Sequence, residues 1–203
     1  MVVGAIKYLR RSKISSATDN NTDNNGELIV EARSNPAAFA RLYRQHYDAV
    51  FRYCVHRLFE RQIAEDITSD VFLKAVENFS RFEGAEQDFR NWLYTIATNA
   101  INSHLRKTVY RNRFLKLFHR QVDNCTVDGQ SAVERPDDKS ALLKKAMFEL
   151  RPTYQTIITL RFFENLKLTE IAEVLDSSPG TVRSQLKRAL GKLRKKIAFE
   201  QEV

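Results

Sequence analysis

The chain has 203 residues, with 33 Lys and Arg against 25 Asp and Glu, for a formal net charge of +8. That length is room for one large domain or two small ones, and a hydrophobic content of 43% supplies packed cores. Only six Gly and four Pro argue against an all-β chain, two Cys exclude a disulfide scaffold or a Cys-rich zinc module, and no apolar run approaches the ~20 residues of a membrane span. The N-terminal MVVGAIKYLRR is too short an apolar stretch, broken by Lys7, to read as a secretory signal. A cytoplasmic, basic, all-helical protein without membrane insertion is expected, and its positive excess suggests an acidic partner such as nucleic acid.

Residues 12–26 (SKISSATDNNTDNNG) cannot bury enough apolar area to offset ordering entropy, so 1–27 is expected to be a disordered extension. Asn35-Pro36 reads as a helix cap followed by Pro in the first turn. Phe39, Leu42, Tyr43, Val50, Phe51, Cys54, Val55 and Leu58 then recur near the helical period and predict one or two packed helices. A further helix is predicted over 63–79, with Ile63, Ile67, Val71 and Ala75 on one stripe and Phe72, Val76 and Phe79 beside it. Residues 81–88 (RFEGAEQD) form a loop around Gly84. Another helix follows over 89–107, apolar at Trp92, Leu93, Ile96, Ala97, Ala100, Ile101 and Leu105. These elements make one helical domain, 28–107.

Periodicity fades after that and Asp, Gly and Pro enter, so 108–140 is read as a flexible linker. It resumes with Leu142, Leu143, Ala146, Met147 and Leu150, and Pro152 opens a second helix of a second domain, 141–203. Residues 168–197 read as a helix-turn-helix. Ile171, Ala172, Val174 and Leu175 mark the first helix, and Asp176-Ser177 the turn. Ser178 is a candidate N-cap, and Pro179 suits the first helical position because its missing N–H needs no partner. Val182, Leu186, Ala189, Leu190, Leu193 and Ile197 line the buried face of the second helix, and Arg183, Ser184, Lys187 and Arg188 the opposite one. Early residues of such a helix reach base edges in the major groove, where Arg bonds guanine in a bidentate fork worth roughly 1–3 kcal/mol of discrimination.

The charge excess is concentrated in two blocks. Residues 99–120 hold six basic side chains (Arg106, Lys107, Arg111, Arg113, Lys116, Arg120) and no acidic one, while 176–203 hold seven basic against three acidic. The intervening 121–140 segment is acidic.

Three stretches match one family: IAEDITSDVFLKAVENF (63–79), FRNWLYTIATNAINSHL (89–105) and the segment from Leu150 to Arg194. They resemble the bacterial extracytoplasmic-function (ECF) sigma factors. The resemblance implies two small helical domains, region 2 over 28–107 and region 4 over 141–203, acting as a specificity subunit of RNA polymerase. It implies core RNA polymerase and promoter DNA as partners, an anti-sigma factor as a further one, no cofactor, no metal and no bond chemistry of its own. Region 2 would bind the polymerase clamp through Asp66, Asp70, Phe72 and Lys74, and the −10 element through Trp92, Asn99, Ser103, Arg106 and Lys107, with Tyr94 assisting. Region 4 would read the −35 element through Ser178, Thr181, Arg183, Ser184, Lys187 and Arg188. Asp66 and Asp70 stand four residues apart on one helix face, a like-charge spacing that costs a few tenths of a kcal/mol in isolation and suits a basic partner. The chain departs from the family pattern at Ser69 (usually Gln), Lys167 (usually a capping Ser), Asp176 (usually Gly) and Gln185 (commonly Arg).

Two other classes compete. A stand-alone helix-turn-helix regulator would need neither the acidic 63–79 face nor the Trp-bearing helix. A nucleic-acid-processing enzyme would need clustered carboxylates beside the basic blocks, and none is evident. Cys54 falls at a core position, Cys125 lies in the linker, and the four His have no metal-ligand spacing with either.

Overall fold

The computed structural model describes residues 25–118 and 138–201, and every regular element among them is helical. The N-terminal extension, apart from its last residues, and Cys125 lie outside the described residues. α1 spans Asn25–Ala32, α2 Pro36–Leu58, α3 Arg61–Asn78 and α4 Glu86–Phe118, with a 3₁₀ turn at Phe79–Arg81 between α3 and α4. α5 spans Asp138–Phe148, α6 Pro152–Phe162, α7 Leu168–Val174 and α8 Pro179–Gln201.

Local chemistry sets the helix ends. The Asn35 side chain accepts a hydrogen bond from the Ala37 N–H at 2.9 Å, and Pro36 opens α2. α2 stops at Phe59, whose left-handed φ of 54° ends the helix. α4 starts where the Asp88 carboxylate accepts from the Ala85 N–H at 2.8 Å. The apolar residues 39–58 fall on one helix, within the one or two expected. One boundary is corrected: α4 runs beyond 107 through Phe118, because nothing in 108–118 breaks a helix. With α5 beginning at Asp138, the segment between the two regions contracts from 108–140 to 119–137, which lies outside the described residues.

α1 to α4 enclose the first core, built on Leu42, Val50, Tyr53 and Cys54 of α2, Ala64, Val71 and Ala75 of α3, and Phe89, Leu93, Ala97 and Ile101 of α4. Each large apolar side chain buried there contributes about 1.5–3 kcal/mol. A second core joins α5, α6 and α8 through Leu143, Ala146, Met147, Leu150, Ile158, Ala189 and Leu193. The opposite face of this second unit (Ile157, Leu160, Leu166, Ile171, Ala172, Val174 and Val182) is continuous with the first core. The two expected helical regions are therefore packed on each other, α6 against α2 and α7 against α4.

Polar groups are buried in that contact. Arg57 of α2, 1% exposed, donates to Gln155 of α6 and to Asn102 of α4. Glu164, just past α6, has a side chain only 1% exposed. It accepts from the Tyr94 hydroxyl at 3.1 Å and from Arg52 at 3.4 Å, and lies 3.7 Å from His56 Nδ1. Burial, then the Glu164 charge, holds the Tyr94 hydroxyl well above the ordinary tyrosine pKa, so it remains a donor.

Candidate nucleic-acid interface

Three surfaces carry the predicted site residues. The first is the outward face of α3. Asp66 and Asp70 are exposed and make no hydrogen bond or ion pair among the described residues. On this helix, Glu65 takes Arg61 at 2.9 Å instead. Leu73 is 58% exposed and adjoins the two acids, and Val76, expected in an apolar stripe, is 54% exposed. Phe72 does not belong to this surface. It is 3% exposed and packs edge-on against Tyr43 and face-on with Tyr47, so its place is the core.

The second surface is a cavity of about 750 Å³ between the end of α3, the 79–85 loop and α4. Lys74, Asn78, Arg81 and Glu83 line one side, and Trp92, Ile96, Asn99 and Ser103 the other. The loop is held by packed rings: Phe82 stacks on Phe79 and meets Trp92 at 5.1 Å, and Phe89 sits edge-on to Phe79 and Phe82. The Phe82 carbonyl also accepts from Arg33 of α1 at 2.9 Å. Gly84 turns with φ 151°, and a Cβ there would stand 2.8 Å from the Asp88 Cβ, so only glycine fits. Trp92 and Asn99 are thus on one site with Ser103, and exposed Arg106 and Lys107 continue the same broad side of α4. Lys74, expected with the acids, is among the residues that line this cavity. Tyr94 is 2% exposed on another face of α4 and bonds Glu164, so it takes no part in the cavity. An aromatic and apolar wall with amide, hydroxyl and cationic groups at its rim is the composition that holds an unstacked base.

The third surface is α8. Ser178 accepts from the Thr181 N–H at 3.1 Å and shares a 2.9 Å hydroxyl contact with Thr181. Ser184 donates to the Thr181 carbonyl at 2.9 Å. These three hydroxyls are engaged in the helix start, whereas Arg183, Lys187 and Arg188 are exposed and carry no hydrogen bond or ion pair among the described residues. The turn before α8 places Asp176 at φ 47°, a left-handed position that Asp tolerates where Gly is usual. Lys167 precedes α7, and its N–H is capped by the Glu170 carboxylate at 2.5 Å, which replaces the missing Ser from the other direction.

A fourth cluster escaped the sequence reading. Glu170 of α7 accepts from Gln87 at 2.6 Å and from Arg90 at 2.9 Å, both on the first turns of α4. Glu173 accepts from Asn91 at 2.6 Å, and Thr95 donates to the Val174 carbonyl at 3.3 Å. No periodicity signals such pairs, which lie about eighty positions apart in the chain. Among the described residues no helix is long and apolar enough to cross a membrane, and no group of His, Cys, Asp and Glu is placed to hold a metal.

Residues 42–110 match the family described as Sigma-70 region 2, and residues 140–193 match Sigma-70, region 4. The ECF RNA polymerase sigma factor BldN of Streptomyces coelicolor is 32% identical over 181 residues, taking in 86% of this chain and 66% of that one. The RNA polymerase sigma factor YlaC of Bacillus subtilis is 30% identical over 162 residues, 79% of this chain and 92% of the relative. The chain belongs to the ECF RNA polymerase sigma factors. The sigma factor RpoE of Bartonella quintana, solved in complex with the anti-sigma factor NepR, shares the fold at a TM-score of 0.59 and 24% identity, covering 79% of this chain and 96% of its own. In sigma-factor terms, α3, the cavity and most of α4 fall within region 2, and α5 to α7 with most of α8 within region 4.

Proposed function

We propose that this sigma factor binds core RNA polymerase, brings it to promoter DNA and helps open the duplex, catalysing no bond chemistry itself and working in the cytoplasm. Region 2 would be the unit 28–107, prolonged to Phe118 by α4, and region 4 the unit 141–203, opened at Asp138 by α5. The acidic face of α3, with Asp66, Asp70 and exposed Leu73, would meet the polymerase clamp. The cavity beside Trp92, Asn99 and Ser103, with Lys74 at its edge and Arg106 and Lys107 beyond, would take an unstacked base of the −10 element. Arg183, Lys187 and Arg188 would read the −35 element, with Ser178, Thr181 and Ser184 building the helix start that presents them. An anti-sigma factor is the expected antagonist, as NepR is the partner of the solved RpoE.

The observation that carries the reading is the α3 face. Two exposed carboxylates beside an exposed leucine, without intramolecular partners among the described residues, suit a basic and apolar protein surface. A stand-alone helix-turn-helix regulator has no use for it. Promoter elements two duplex turns apart, roughly 70 Å, also require the two packed regions to separate on the template.

The test is run-off transcription and core binding with Asp66→Lys combined with Asp70→Lys. We expect core affinity to fall at least about tenfold, the equivalent of ~1.4 kcal/mol, with the far-UV circular dichroism spectrum unchanged. Wild-type affinity in the folded variant would remove the clamp assignment, and absence of any promoter-dependent transcript from the wild type would remove the function.

A further inference from the structure

We propose that the second half of α8 carries a backbone-binding site for duplex DNA, formed by Gly191, Arg194 and Lys195, which grips the lip of the major groove beyond the bases that Arg183, Lys187 and Arg188 reach. The inference rests on the −35 reading above and adds a site that holds the duplex without reading its sequence. Gly191 is where it starts. A glycine in a helix interior is destabilising relative to alanine, and packing or a close approach is the usual reason for one. Packing gives no reason here: a Cβ at Gly191 would have nothing within 4 Å, and the position is exposed. A close approach from outside the chain remains.

The surroundings of Gly191 define what approaches. It lies one turn past Lys187 and Arg188 and one turn before Arg194 and Lys195, so these positions share the exposed face of α8. The four cations are exposed and have no hydrogen bond or ion pair among the described residues. The other two basic side chains of this half are turned away: Lys192 lies over the Tyr154 ring at 5.7 Å, and Lys196 bonds Glu149 just past α5. α8 thus presents a notch without a side chain, ringed by uncompensated positive charge. From Arg183 to Lys195 the helix advances about 18 Å, more than the ~12 Å width of the major groove. A helix that enters N-terminal end first, with Arg183 at the bases, therefore has Gly191 to Lys195 at the groove's edge, where the sugar-phosphate strand runs. The missing Cβ lets that strand lie against the helix backbone, and Arg194 and Lys195 close on the phosphates to either side. Such contacts are independent of base sequence and weaken with salt.

The experiment uses the full chain and a fluorescein-labelled duplex DNA of random sequence, followed by anisotropy across a salt series. Gly191→Ala and Gly191→Leu are both better helix formers and are each expected to raise the melting temperature by about 2–4 °C. Both are expected to weaken duplex binding, Ala about threefold and Leu about tenfold, as the strand is pushed off its charge-assisted contacts. The opposite signs separate a lost contact from a folding defect. Arg194→Gln with Lys195→Gln is expected to lower the slope of log affinity against log salt by about 1.8, the loss of two phosphates. Arg41→Gln with Arg44→Gln, exposed on α2, removes the same charge elsewhere and is expected to leave the slope unchanged. Arg183→Gln with Lys187→Gln tests the −35 reading in the same assay, so failure of that reading and failure of this site are read from different variants. Wild-type affinity in Gly191→Leu, an unchanged slope without Arg194 and Lys195, or an equal change in the α2 control would each overturn the proposal. So would equal competition by polyglutamate of matched charge, the mark of a surface for an acidic protein.

Discussion

Glu164 offers the sharpest check on how the two regions are joined. Its side chain is 1% exposed and has two donors of unequal dependence on it. Tyr94 is 2% exposed, and its hydroxyl at 3.1 Å has no route to water. Arg52 keeps 31% of its side chain exposed and turns outward if released. Glu164→Leu strands the Tyr94 hydroxyl, at a cost of about 1–3 kcal/mol. It also loses the partly screened contact with Arg52, worth under ~1 kcal/mol. The sum is about 2–4 kcal/mol. Glu164→Gln retains an acceptor for Tyr94 and loses only the charge, so about 1 kcal/mol is expected. Urea denaturation at neutral pH followed by circular dichroism gives both values. The ordering matters more than either number. Two variants indistinguishable from wild type would show that Glu164 is not held between α2 and α4. Equal, large losses would show that the charge, rather than the buried acceptor, governs the joint.

Two further outcomes follow from local structure. His46 is buried, and burial, then the charge of Arg90, lowers its pKa from 6.5 to about 4, with Glu86 Oε1 3.7 Å from its Nε2. Below pH 6.5 the unfolded chain therefore takes a proton that the folded chain refuses, so stability falls as the pH drops toward 4, by at most about 1.4 kcal/mol per unit. His46→Gln should flatten that part of a pH series of urea midpoints, and an unaltered slope would show that other groups dominate it. Asp176 stands at φ 47°, so Asp176→Val should lower stability by about 1–2 kcal/mol while Asp176→Gly does not. Thermal unfolding compares the two, and equal melting temperatures would mean the turn relaxes.

Where apolar spacing and end signals agree, the sequence is legible. Pro36, Pro152 and Pro179 each open a helix as expected, and Leu143, Ala146, Met147, Val182, Ala189 and Leu193 are buried as the period requires. Side assignments at the edge of a stripe are not legible. Phe72 and Val76 are four apart, yet one is buried and the other open, because the crowd of Tyr43 and Tyr47 reaches only the first. Lys74 lies between the acidic face and the cavity, a distinction of one helical step that needs the neighbouring loop to resolve. The end of α4 was missed because loss of apolar rhythm stops the signal without stopping the helix. Arg57, Glu164, Glu170 and Glu173 were unreadable for a different reason. Charged residues are ordinarily exposed, and only the fold brings partners from the other region to cover them.

The extension of α4 through Phe118 shortens the tether between the two regions. Only residues 119–137 now separate α4 from α5, and that many residues reach at most about 65 Å. A body confined within that radius is present at a local concentration of about one millimolar. The contact of α7 with α4 is therefore one that dilution does not weaken. Copy number of the sigma factor does not set how often that contact opens. That fraction is an intrinsic constant of each molecule, shifted only by something that grips the two regions apart.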